Sequence, residues 1–146
     1  MVRSIATRLC LPKRWTELAE LAARYHLQCH RVLEMRPATI LKTLSALDAF
    51  RRHERFQWFL LVCEADMRGR LGFENNPYPQ KTFFAGACRA AMNADLQGIP
   101  LDGRQSKKIA ERIARVRTTA IAKYRETFLR EAQTPQVKDR PVPAGK

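Results

Sequence analysis

Apolar residues recur at three-to-four spacing in several separate runs, and none shows the strict alternation of a half-buried strand. Pro12 suits a first helical position, and Trp15, Leu18, Leu21, Ala22, Tyr25 and Cys29 follow it as one stripe. Pro37 opens a second, short helix whose Ile40, Leu41, Leu44 and Leu47 face inward, and Arg51 to Glu54 form a charged connector. A third run, Phe56, Phe59, Leu60, Cys63 and Met67, stops at Gly69, a glycine able to turn left-handed and end the helix. Leu71 to Pro79 is rich in breakers and reads as a loop anchored by Phe73 and Tyr78. A fourth helix over 80–96 buries Phe83, Phe84, Ala87, Cys88 and Ala91, and Gly98, Pro100 and Gly103 break the chain after it. Ser106 is a good N-cap for a last long helix whose apolar face is Ile109, Ile113, Val116, Ala120 and Tyr124. From Thr134 onward, prolines and polar residues predict a disordered tail. The expected fold class is all-α, an irregular helical array.

Charge adds a partner to this picture. With 27 basic against 14 acidic residues, the 146-residue chain carries +13, a field that favours a polyanion. Arginine outnumbers lysine, which leans toward phosphate recognition. A membrane surface would also attract such a chain, but no apolar run approaches spanning length and no signal-peptide core opens the sequence. Cys10, Cys29, Cys63 and Cys88 are scattered without metal-ligand spacing and read as reduced thiols, most of them buried, in a cytoplasmic protein.

The positive charge concentrates in the last helix. Arg104, Lys107, Lys108, Arg112, Arg115, Arg117, Lys123, Arg125 and Arg130 are opposed nearby only by Glu111, Glu126 and Glu131. Lys107 and Lys108 stand in the first turn, against the helix dipole, a cost that a bound anion would remove. Lys107, Lys108, Arg112, Arg115 and Lys123 are therefore candidate phosphate contacts, of a kind that positions a nucleic acid without reading its sequence.

A second cluster lies at the end of the third helix. Glu64 precedes Arg68, and Asp66 precedes Arg70, by four residues in the acid-first order that favours pairing. Two readings stay open: a helix end with solvated charges, or carboxylates Glu64 and Asp66 orienting Arg68 and Arg70 toward an anionic partner. His26 and His30, also four apart, are weak metal-ligand candidates, because two imidazoles alone do not hold a metal.

The run Glu64-Ala-Asp-Met-Arg-Gly-Arg-Leu-Gly-Phe-Glu74, followed by Tyr78-Pro79-Gln80, resembles a signature of bacterial CCA-adding enzymes, the tRNA nucleotidyltransferases of the poly(A) polymerase superfamily. Arg36-Pro37, Leu47-Asp48-Ala49-Phe50-Arg51-Arg52 and Tyr25-His26 with His30 match the same family in order, so the similarity runs from about Leu9 to Arg125. The resemblance implies the C-terminal portion of such an enzyme. The family's glycine-rich nucleotide turn and paired-aspartate metal motif belong to a catalytic head and do not occur here. CTP, ATP and Mg2+ would be bound by that head, so no catalytic residue and no cofactor is assigned to this chain.

The resemblance also implies tRNA as partner, together with the head of the same enzyme. It divides the chain into the terminal helix of an HD-type domain (1–35), a body-like helical domain (36–96), a basic tail helix (97–132) and a disordered tail (133–146). Where some members carry an aspartate after the first histidine, this chain has Leu27. The alternatives are a residual metal-dependent phosphohydrolase segment using His26 and His30, and a free-standing helical nucleic-acid-binding protein.

Overall fold

The computed structural model describes residues 1–98 and 106–133. Among them are six α-helices and no strand: α1 (Val2–Arg8), α2 (Lys13–His30), α3 (Pro37–Ala46), α4 (His53–Arg68), α5 (Pro79–Met92) and α6 (Ser106–Gln133), with a 3-10 turn over Val32–Glu34. The fold is an all-α, irregular helical array. The breaks at Pro100 and Gly103, Arg104, the side chain of the expected Ser106 cap and the tail from Thr134 lie outside what is described.

One hydrophobic cluster joins residues from α2 to α6. Ile40, Leu41 and Leu44 of α3, with Leu47 just beyond it, face Phe83, Phe84, Ala87, Cys88 and Ala91 of α5 and Phe56, Phe59, Leu60 and Cys63 of α4 within it. Phe56 meets Phe84 edge-on at 5.3 Å. Prolines begin α3 and α5, where a missing N–H costs nothing. α3 ends in a paired turn: Ala49 N donates to Leu44 O at 3.0 Å and Asp48 N to Ser45 O at 3.0 Å. Asp48 takes the left-handed position there, at φ 53°, while Ala49 is buried.

α6 closes the array. It runs 28 residues, about 42 Å at 1.5 Å per residue. Among its described side chains only Ile121 is fully buried, and Tyr124 and Phe128 pack with it against the core. Tyr124 lies so close over α5 that a Cβ on Gly86 would stand 1.9 Å from its hydroxyl, so any larger residue there would force the ring to shift. The predicted stripe Ile109, Ile113, Val116 and Ala120 is only half-buried, because the helix enters the core later and one position further round its face.

Several local expectations change. Gly69 caps α4 in the right-handed region (φ −72°), and the left-handed glycine of the loop that follows is Gly72 (φ 86°), where a side chain would meet nothing. Phe73 is 44% exposed: the loop is held by backbone, with Phe73 N donating to Arg70 O at 2.9 Å, while Tyr78 does anchor it. Trp15 is 38% exposed, since it packs edge-on against Trp58 at a rim, not in the core. α5 stops at Met92, before residue 96, because Asp95 Oδ1 accepts from Gln97 N at 2.9 Å in a local turn that competes with helix. α1 lies outside the predicted stripes; Arg3 ties it to Glu20 of α2.

Candidate nucleic-acid interface

The C-terminal end of α4 delivers four charged groups, and each carboxylate there serves two partners. Glu64 accepts from Lys81 of α5 at 2.6 Å and pairs with Arg68 at 3.2 Å. Asp66 accepts from His30 Nε2 of α2 at 2.9 Å and pairs with Arg70 at 3.5 Å. The hydrogen bond and charge of Lys81, with Arg68 behind it, hold the Glu64 carboxyl below the usual carboxylate range. His30, with help from Arg70, does the same for Asp66. The helical pairs expected from spacing are present, and the closer partners come from other helices. Arg68 and Arg70 remain 46% and 56% exposed at the side chain, so their outer faces stay open to solvent.

Behind this edge lies a polar chain into the core. His30 Nδ1 is 2.8 Å from the Tyr78 hydroxyl, which also reaches Cys29 Sγ at 3.5 Å. Burial pushes the Tyr78 hydroxyl well above its ordinary range, and a hydrogen bond with Cys29, with burial, does so for the Cys63 thiol. Cys29, Cys63 and Cys88 are buried and free, and burial lifts Cys88 to about 11. His26 bonds its own helix, Nδ1 to Ala22 O at 2.9 Å. Both ring nitrogens of His30 are engaged, and among the described residues no three His, Cys, Asp or Glu side chains gather as ligands.

Two sets stand out among the cations of α6. Arg117 stacks over Phe50 at 4.6 Å, and Arg125 donates to Leu33 O at 3.1 Å; both fasten the helix to the array. Lys107, Lys108, Arg112, Arg115 and Lys123 are exposed and form no ion pair with any described residue. Lys107 to Arg115 occupy the first turns of α6, which give nothing to the core. Arg68 and Arg70 are thus braced, and the α6 set is unbraced. Sequence reasoning missed Lys81 and the tie between His30 and Asp66, because neither follows from spacing within one helix.

The multifunctional CCA protein of Hahella chejuensis is 40% identical over 133 residues, 91% of this chain and 32% of that protein. The chain's relatives are multifunctional CCA proteins. Those of Alkalilimnicola ehrlichii (43% over 130 residues, 89% of this chain and 32% of that protein) and Nitrosococcus oceani (46% over 121 residues, 83% and 30%) are similar in the same way. The chain spans about a third of the length of these curated relatives. No family model matches the chain, and no solved structure does. The relatedness to multifunctional CCA proteins covers both the α4 edge and most of α6, so the two charged surfaces belong to one related segment. Among the described residues no helix is long and apolar enough to cross a membrane.

Proposed function

We propose that this chain is the tRNA-gripping, C-terminal region of a CCA-adding nucleotidyltransferase. In this reading, CTP, ATP and divalent-metal chemistry belong to a head that these residues do not include. The observation that carries the proposal is the unbraced cation set Lys107, Lys108, Arg112, Arg115 and Lys123. Like charges held on one helix with few counter-charges repel each other, and a row of phosphates removes that cost. Each phosphate neutralised also releases condensed counterions, so affinity comes mainly from salt-sensitive contacts that ignore base identity.

Arg68 and Arg70 form a second contact, oriented by Glu64 and Asp66. An exposed pair of this kind is worth about 0–1 kcal/mol, so a phosphate can share either guanidinium at little cost. Free, buried thiols fit a reducing cytoplasm. The relatedness to multifunctional CCA proteins supports this reading.

Binding of labelled tRNA, read by fluorescence anisotropy, tests this. Five phosphate contacts predict a log–log salt slope of about −4, a loss of roughly two orders of magnitude between about 50 and 200 mM salt. Reversing Lys107, Lys108, Arg112 and Arg115 to Glu together is expected to abolish binding. Arg70→Glu is expected to weaken binding while changing stability by at most about 1 kcal/mol. Binding that ignores salt, or survives the fourfold reversal, overturns the proposal.

A further inference from the structure

The chain has two tryptophans, Trp15 of α2 and Trp58 of α4, and both are at the surface, 38% and 45% exposed. Their rings meet edge-on, with centroids 5.9 Å apart. Indoles are usually well buried in a folded chain, so two of them together at a surface call for a reason. They line an open cleft of about 660 Å³ between the start of α2 and the turn leading into α4.

Four arginines and two carboxylates, Glu17 and Glu54, line most of the rest of the cleft. Arg14 lies over the Trp15 ring, 5.2 Å from its centroid, and has no carboxylate partner among the described residues. Arg51, Arg52 and Arg55 share two carboxylates: Arg52 and Arg55 reach Glu17 at 3.1 and 3.3 Å, while Arg51 and Arg52 reach Asp48 at 3.4 and 3.5 Å. Asp48 holds its place through the left-handed turn that ends α3, so the arginines after it are positioned by backbone. Glu54 is the other carboxylate on the cleft. Four guanidiniums on the cleft are therefore set against Glu17 and Glu54 of its lining and Asp48 behind it, beside two open indole surfaces.

A ligand that satisfies this lining has a flat ring to stack and a negative charge to set against the unpaired guanidinium. We infer that the cleft takes up an unpaired nucleotide, its base on the Trp15–Trp58 surface and its phosphate by Arg14 and Arg51. Stacking on aromatic side chains beside cations is the general mode by which proteins hold single-stranded nucleic acid without reading sequence. The inference rests on the RNA-binding reading for its ligand class, and adds a site remote in sequence from α6. Free nucleotides share this chemistry with RNA strands, and a protein surface is the competing use of exposed indoles.

The two indoles make the test direct, because all tryptophan emission reports on this cleft. Emission of the full chain is titrated at low salt with a short single-stranded oligoadenylate, with AMP and with tRNA. Quenching by the oligonucleotide, stronger than by AMP, is expected; stronger quenching by AMP assigns the cleft to free nucleotides and overturns the RNA form of the proposal. Arg14→Ala and Trp58→Ala, checked for unchanged circular dichroism, are each expected to weaken the oligonucleotide by about tenfold, the scale of one stacked base.

No quenching by any of the three overturns the site, as does an emission shift that follows protein concentration alone, which marks a contact between protein copies. Failure here is distinguishable from failure of the α6 reading. If tRNA binds and the α6 reversal abolishes it while emission stays still, only the cleft falls. If tRNA does not bind but oligoadenylate quenches, the cleft stands and the tRNA reading falls.

Discussion

Glu64 accepts from Lys81 across to α5 and from Arg68 one turn on, and the two contacts differ in what they hold. Lys81 is two-thirds covered and joins two helices, whereas Arg68 is nearly half-exposed on the same helix. Both cations depress the Glu64 carboxyl, Lys81 the more strongly. A carboxyl depressed in the folded state contributes stability above its unfolded value, near about 4.3, and loses that contribution as pH falls through the folded value. Lys81→Met is therefore expected to lower stability at pH 7 by up to about 1 kcal/mol. The difference from the parent should vanish at about pH 2, where Glu64 is protonated in both states. Urea unfolding at the two pH values measures it; an equal deficit at both would assign Lys81 a packing role through its methylene stem instead.

At the scale of elements, the α5–α6 crossing depends on one small residue. Gly86 lets the Tyr124 ring lie against α5, flanked by Phe83 at 5.7 Å and Phe128 at 6.0 Å. Gly86→Ala gains helix propensity worth about 1 kcal/mol. It also forces the ring out of a packed aromatic group, and overpacking of this kind costs about 1–3 kcal/mol. The steric term should win, giving a net loss in urea denaturation that Tyr124→Leu relieves. A more stable Gly86→Ala protein would mean the ring moves freely. The same crossing shows what periodicity reveals. α3 and α5 each bury one continuous face, so Ile40, Leu44, Phe83, Phe84 and Ala91 were legible as core. α6 buries Ile121 between inward-turned Arg117 and Arg125, and charge masks that face from any apolar pattern. At the candidate site, Glu64–Arg68 and Asp66–Arg70 were legible because one helix turn sets them. Glu64–Lys81 and His30–Asp66 join residues 17 and 36 apart, which only the packing of α2, α4 and α5 brings together.

Across the whole molecule, a charge of +13 makes the folded chain a polycation whose compactness costs self-repulsion. Salt screens exposed like charges over about 10 Å at 0.1 M, so the free protein should gain stability as ionic strength rises. A gain of about 1 kcal/mol moves the melting midpoint of a chain this size up by roughly 3 °C. Bound tRNA changes the sign. A polyanion at about 100 times its dissociation constant adds about 2.7 kcal/mol, and salt removes that contribution by weakening binding faster than it relieves repulsion. Melting curves between about 10 and 200 mM NaCl should rise for the free chain and fall for the tRNA complex. With the α6 reversal in place, the fall should disappear, because the cations that supplied it are gone. Curves of the same sign with and without tRNA would mean that the positive surface is balanced within the fold and holds no polyanion.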